Sequence, residues 1–273
     1  MRIAISNIAW DVEEDELVAE LLAKYGIDGI DIAPSKYFPH PDLATDEDIE
    51  EVKAYWAEKG IEITGMQSLL FGTQGLNVFG TADIQTKLLA HLESICRIAG
   101  KLGSSRLVFG SPKNRDRSGL TDEKTLEQAV QFFGRLGDIA QDNGVIICLE
   151  PNPTCYGANF MTTSEETLAV VKAIDHPAIK MQLDTGAITI NQELITQVVN
   201  AAQSEIGHIH ISEPNLSVIG SSDADHAQFG KAIKNTLGDA LVTIEMVATK
   251  DEPHLVSIER ALKLVTQNYR DAL

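Results

Sequence analysis

The feature that most constrains the fold is the alternation of two kinds of segment along the whole chain. Short apolar runs, typical of buried strands, are followed by longer segments that begin at capping residues and end at glycines, as helices do. For example, Asp11 and Glu14 form a capping box, and Gly26 follows the helix that they open. The predicted strands are 2–6, 27–32, 61–67, 106–109, 145–150, 179–184, 208–212 and 241–245. The predicted helices are 11–25, 45–59, 82–102, 121–143, one that Ser164 caps, 192–202, 224–237 and 254–269.

Eight strand-then-helix units in 273 residues leave about 34 residues for each unit, which suits a closed parallel barrel. We therefore predict an α/β fold, a (β/α)8 TIM barrel. No linker rich in Pro, Gly or Ser interrupts the series, so residues 1–273 are predicted to form a single domain. An open doubly wound sheet is the alternative, but no G-x-G-x-x-G pattern follows the first strand.

Charge and composition indicate which kinds of partner the protein can have. The formal net charge is -18, which would repel a phosphate backbone and disfavours nucleic acid. No apolar run reaches the ~18 residues of a membrane-spanning helix, and no signal peptide precedes the first strand. Cys96, Cys148 and Cys155 include no C-x-x-C pair, as is typical of a reducing compartment. We expect a cytoplasmic protein with no membrane partner, and the sequence leaves open whether it forms a homo-oligomer.

Four consecutive predicted strands end in a side chain that can bind a metal ion. Strands 145–150, 179–184 and 241–245 end in Glu150, Asp184 and Glu245, and strand 208–212 carries His210. In a barrel, the carboxyl ends of the strands meet at one face, which is where function gathers. Two Glu, one Asp and one His make a mixed oxygen and nitrogen site. We predict that it holds one divalent ion, such as Mn²⁺, Mg²⁺, Co²⁺, Fe²⁺ or Zn²⁺.

The alternation of strand 208–212 points His208, His210 and Ser212 to one side, and two isoleucines to the other. Polar side chains on the inner side of a buried strand need partners. For His208 two interpretations stay open, a hydrogen-bonded core histidine and a substrate contact.

The fragments that end these strands resemble the xylose-isomerase-like barrel superfamily of sugar and sugar phosphate isomerases and epimerases, in particular its ketose 3-epimerase branch. The fragments are Leu149-Glu150-Pro151, Leu183-Asp184-Thr185-Gly186 and His208-Ile209-His210-Ile211-Ser212-Glu213. The resemblance implies that Glu150, Asp184, His210 and Glu245 are metal ligands.

Two departures from that branch concern the substrate. The branch usually has His three residues after the ligand Asp, where this chain has Ala187. It also has a substrate-contacting Arg after the Ser-Glu pair, where this chain reads Pro214-Asn215-Leu216. An apurinic-endonuclease branch has extra histidines at strand ends three and four. This chain has Gln67 and Phe109-Gly110 there, which disfavours DNA repair.

The resemblance implies proton abstraction next to a carbonyl through an enediolate. Glu150 and Glu245 are the only glutamates among the four ligands, so we predict that they form the catalytic acid/base pair. The expected function is a sugar or sugar phosphate isomerase or epimerase. A dehydratase of the inosose or keto-sugar type on the same metal site is the alternative within enzymes. A non-catalytic sugar-binding relative is the alternative if the protein is not an enzyme.

Further polar and aromatic residues are expected near the mouth of the barrel and are candidates to bind substrate. The loop after the fourth strand adds cations to an otherwise acidic chain, for which solvated surface is the alternative. The candidates are Asn7, Trp10, Gln67, Lys113, Arg115, Asn152, Tyr156, His208 and His226.

Overall fold

The structure is a computed structural model that describes residues 1–270. Residues 271–273 of the predicted domain lie outside the described residues. Eight strands alternate with helices along the chain. The strands are β1 (Arg2–Ser6), β2 (Gly29–Ile32), β3 (Glu62–Met66), β4 (Arg106–Phe109), β5 (Ile146–Leu149), β6 (Ile179–Asp184), β7 (Ile206–Ile211) and β8 (Leu241–Ile244).

Nine α-helices are present in residues 1–270. They are α1 (Asp15–Lys24), α2 (Asp46–Glu58), α3 (Ala82–Leu102), α4 (Asp122–Asp142), α5 (Ser164–Ile174), α6 (Thr185–Asn191), α7 (Ile195–Ala202), α8 (His226–Leu237) and α9 (His254–Val265). Over the same residues, no helix combines the length and apolar character that a membrane crossing requires.

The strands close into a barrel in sequence order, and every neighbouring pair is parallel. Closure is made by β1 and β8, with Ile3 opposite Val242 and Ile5 opposite Ile244. The predicted (β/α)8 TIM barrel is therefore confirmed. Because all strands run the same way, their carboxyl ends lie at one face, which places the four predicted ligands at one end of the barrel.

Side chains alternate between the barrel interior and the layer of helices. On β7, Ile209 and Ile211 join the apolar core, whereas His208 reaches Asp31 on β2. Since β2 and β7 are not neighbours in the sheet, this contact crosses the barrel interior. The interior is thus polar at β7, as the alternation of the strand predicted.

Local differences from the predicted elements occur at the start of α5, after β6 and at the end of the last helix. The cap of α5 is Thr163, one residue before the predicted Ser164, and its side chain accepts a hydrogen bond from the Glu166 amide. Helix α6 was not predicted. It begins directly at the end of β6, with the Asp184 side chain as its cap. The last predicted helix, 254–269, is α-helical as α9 as far as Val265, and the residues Thr266–Arg270 form a π-helical turn.

Candidate metal and active site

The carboxyl ends of the strands surround a cavity of about 830 Å³. Its walls come from the ends of seven strands and the loops that follow them, β1 to β5, β7 and β8. A cavity of this size lies in the range of small-molecule sites. Within the predicted ligand set, Glu150 and Glu245 line the cavity.

The four predicted ligands form one cluster, which we call the ligand cluster: Glu150, Asp184, His210 and Glu245. One ligand atom from each lies within 4.8 Å of the others. The His210 Nδ1 atom lies 3.2 Å from Glu245 Oε2. Asp184, His210 and Glu245 are buried. The structure thus brings together all four residues that the strand ends indicated.

Neighbouring groups hold two of the carboxylates in place. Gln67 Nε2 donates a hydrogen bond of 2.6 Å to Glu245 Oε1, which leaves Oε2 free to face the cluster. Ser212 Oγ donates to Asp184 Oδ2 at 2.9 Å, and the Ala187 amide donates to Oδ1 at 2.6 Å. These contacts fix the directions in which the remaining lone pairs point.

Room for Glu150 is provided by a glycine at the end of β4. A Cβ atom at Gly110 would lie 1.5 Å from Glu150 Oε2. Gly110 has no left-handed φ angle, so its backbone does not require glycine. The glycine is therefore explained by the carboxylate beside it. In the sequence, Gly110 stands where the apurinic-endonuclease branch has a histidine, and no pattern there marks it as a neighbour of Glu150.

Negative charge is concentrated in the ligand cluster. Burial, and then the charge of Glu245, raise the pKa of both Glu150 and Asp184. Burial disfavours a charged His210 ring, yet Glu245 and Asp31 raise its pKa well above the ordinary value. Each shift reduces the net negative charge, which a bound cation would also do.

The donor set fits a divalent metal ion. Both ring nitrogens of His210 and Glu245 Oε2 are buried without a hydrogen-bond partner. Buried polar atoms are rarely left in this way. Three carboxylates and one imidazole are ligands of Mg²⁺, Mn²⁺, Fe²⁺, Co²⁺ and Zn²⁺.

Four predicted substrate contacts line the cavity: Gln67, Lys113, Asn152 and Tyr156. Tyr156 also connects two loops, since its hydroxyl accepts a hydrogen bond of 2.7 Å from the Asn215 amide. Lys36, which sequence reasoning missed, lines the cavity as well. No pattern marks Lys36 in the sequence, because its position depends on the turn after β2.

Three other candidates are turned away from the cavity. Arg115 is fully buried and donates to the Glu150 carbonyl at 2.7 Å, so it supports the backbone at that ligand. Burial lowers the pKa of Arg115 to about 10. Asn7 is buried and accepts from the Ala33 amide at 2.8 Å. Trp10 is also buried, and its indole N–H donates to Asp15. None of these three residues lines the cavity, and each contacts other parts of the protein instead.

The two remaining candidates have buried carboxylate partners. His208 Nε2 lies 2.6 Å from Asp31 Oδ2, and His208 lines a recess of about 400 Å³ among the amino ends of strands. This agrees with a hydrogen-bonded core histidine and not with a substrate contact. His226 lies between Glu213, at 3.1 Å, and the Tyr269 hydroxyl, at 2.9 Å. Both histidines are buried away from the cavity.

The fold and the ligand cluster together define a parallel (β/α)8 barrel with a candidate metal site at the carboxyl ends of its strands. Residues 19–264 match the family described as Xylose isomerase-like TIM barrel. The chain belongs to this family.

Relatives within it are named epimerases. D-psicose 3-epimerase of Ruminiclostridium cellulolyticum is 27% identical over 255 residues, which cover 90% of this chain and 83% of that protein. L-ribulose 3-epimerase of Methylomonas sp. is 30% identical over 122 residues, which are 45% of this chain and 42% of that protein. The predicted class of enzyme, a sugar isomerase or epimerase, is confirmed by these relatives.

Solved structures agree on the fold. D-psicose 3-epimerase from Clostridium cellulolyticum H10, with D-tagatose, has a TM-score of 0.81 at 24% identity, covering 98% of this chain and 99% of that one. The 3-keto-D-glucoside 4-epimerase from E. coli has a TM-score of 0.80 at 18% identity, with the same coverage of 98% and 99%.

Proposed function

We propose that the protein is a divalent-metal-dependent epimerase that acts on a ketose at the carbon next to the carbonyl. The observation that carries this proposal is a division within the ligand cluster. Glu150 and Glu245 line the cavity, whereas Asp184 and His210 do not. The two glutamates can therefore reach a substrate carbon, and the other two residues serve as ligands.

A divalent ion held by the ligand cluster would polarise a carbonyl and its neighbouring hydroxyl and so acidify the C–H bond between them. The residues of the chain then move the proton. One glutamate carboxylate takes the proton from the carbon, and the other glutamate, protonated, returns a proton to the opposite face. The carbon is inverted and no atom is lost. Burial raises the pKa of Glu150 to about 8, which favours a carboxyl that holds a proton near neutral pH.

We propose that the substrate contacts differ in detail from those of the ketose 3-epimerase branch. Ala187 is buried in the first turn of α6, so no side chain reaches the cavity from there. Asn215 and Leu216 line the cavity at the second departure, and both have left-handed φ angles, 62° and 51°. For Leu216 this conformation is strained, which is typical of functional loops. We propose that Asn215, Lys113 and Tyr156 contact the substrate hydroxyls, or its phosphate if it is a sugar phosphate.

The test is epimerisation of a panel of ketoses, followed by chromatography, with and without added Mn²⁺ or Co²⁺. D-psicose, D-fructose, D-tagatose and L-ribulose are the first choices. Glu150→Gln and Glu245→Gln should each fold and lose activity by ~10²-fold or more, because each removes a proton-transfer group. Activity close to wild type in either variant would remove that glutamate from the acid/base pair. Loss of water from a substrate would identify the dehydratase alternative, which the named relatives do not favour.

A further inference from the structure

A buried carboxylate lies beside the ligand cluster and on the side away from substrate. Asp31 on β2 has no exposed surface and is not among the cavity-lining residues of the described chain. Its Oδ2 lies 2.6 Å from His208 Nε2 and 3.7 Å from His210 Nε2. Its Oδ1 accepts a hydrogen bond of 2.8 Å from Thr64 Oγ1. Burying a carboxylate is costly, so this arrangement calls for an explanation.

The sequence makes space for this carboxylate in two ways. The register between β2 and β3 shifts between Ile30 and Asp31, as at a β-bulge, which changes the direction of a side chain. Gly65 on β3 lacks the Cβ atom that would lie 2.6 Å from Asp31 Oδ1. Two neighbouring strands thus depart from regular packing around one side chain.

The His210 ring has a different acid on each side. Nδ1 lies 3.2 Å from Glu245 Oε2 in the ligand cluster, and Nε2 faces Asp31. A histidine that binds a metal through one ring nitrogen generally donates the N–H of the other to an acceptor, which fixes its tautomer and orientation. In this chain the carboxylate on that side is Asp31, whose Oδ2 lies 3.7 Å from Nε2, within ion-pair distance and beyond a hydrogen bond.

We propose that Asp31 is a positioning residue for the metal site, which keeps Nδ1 of His210 directed at the ligand cluster. His208 and Thr64 in turn hold Asp31. The role of His208 is therefore indirect: it acts on the metal through Asp31 and His210. This inference rests on the proposed function in one respect, that the ligand cluster binds a divalent ion.

The test measures metal affinity without substrate. Mn²⁺ and Co²⁺ are titrated into EDTA-treated, dialysed wild-type protein and Asp31→Asn by calorimetry, and the Co²⁺ absorption spectrum is recorded. Asp31→Asn keeps the shape of the side chain and removes its charge. Loss of such a partner lowers metal affinity by ~10–100-fold, and the Co²⁺ spectrum should change because the His210 ring is no longer held.

Asp15 offers a matched control. It is also a buried carboxylate with two hydrogen bonds, from Trp10 and Tyr37, and it does not contact the ligand cluster. Asp15→Asn should lose stability and keep the wild-type metal affinity. A folded Asp31→Asn with wild-type affinity and spectrum would overturn the inference, whereas a wild-type protein that binds no ion would overturn the proposed function instead.

If Asp31→Asn does not fold, Thr64→Val decides the question. It removes one hydrogen bond to Asp31 with little change of volume, and we expect a loss of metal affinity of about fivefold. Wild-type affinity in a folded Thr64→Val would then overturn the inference.

Discussion

Replacing Gly110 by alanine should disable the site while leaving the barrel intact. The new Cβ would lie 1.5 Å from Glu150 Oε2. Non-bonded atoms sit ~3.5 Å apart, so the carboxylate oxygen must retreat by roughly 2 Å. A misplacement of ~1 Å at a reacting group can cost ~10²-fold in rate. We therefore expect Gly110→Ala to lower kcat by at least ~10²-fold and to weaken metal binding, because we propose that Glu150 serves in both.

The assay compares kcat, metal affinity and Tm with those of Gly134→Ala. Gly134 lies within α4, and a Cβ atom there would have no neighbour within 4 Å. That control should keep its activity and gain up to ~1 kcal/mol of stability, since alanine favours a helix over glycine. Wild-type kcat and metal affinity in Gly110→Ala would refute the steric reasoning and, with it, the position assigned to Glu150.

Three further predictions concern charge and exposure. Because burial and like charge raise the pKa of Glu150, the folded metal-free protein holds a proton that the unfolded chain releases. The Tm of EDTA-treated protein should therefore decrease as the pH rises from about 5 to 8. The increase in Tm on adding Mn²⁺ should become larger over the same pH range. A Tm of the EDTA-treated protein that increases with pH would contradict this prediction. Lys113→Ala should raise KM with little change in kcat. Arg115→Ala should lower kcat, because it removes the hydrogen bond to the backbone carbonyl of Glu150. If the two variants change KM and kcat in the same way, this distinction is wrong. Iodoacetamide should label native protein at the exposed Cys155 alone, because burial raises the pKa of the other two thiols to about 12; mass spectrometry showing two or three labels would contradict it.

The alternation of segments was enough to predict the fold and the ligand cluster. The bounds of β4, β6 and α3 agree with the predicted segments residue for residue, because clear apolar runs and a C-terminal Gly103 mark them. The four members of the ligand cluster could be predicted to lie together because each stands at the end of a strand, and parallel closure brings such ends together. A residue could thus be assigned to the site from the sequence when its position along a strand placed it there.

Side-chain pairs across the barrel could not be predicted in this way. Asp31 and His208 are 177 residues apart in the chain, and the two-residue period of a strand does not say which inward side chains meet. The orientation of Arg115 could not be predicted for a related reason. Its loop lies at the mouth as expected, but the 3-10 turn Pro112–Arg115 exposes Lys113 and buries Arg115. Orientation within a short turn depends on contacts that a single sequence does not reveal.

In the proposed reaction, the ligand cluster binds a metal, and Glu150 and Glu245 move a proton next to a carbonyl. The most direct measurement is deuterium incorporation into D-psicose or L-ribulose in D₂O, followed by NMR, with Mn²⁺ and with EDTA. Exchange at the carbon beside the carbonyl should require the metal and should be lost when both Glu150→Gln and Glu245→Gln are present. Exchange that persists in EDTA, or no exchange in metal-loaded protein with any ketose or ketose phosphate tried, would contradict the proposed reaction.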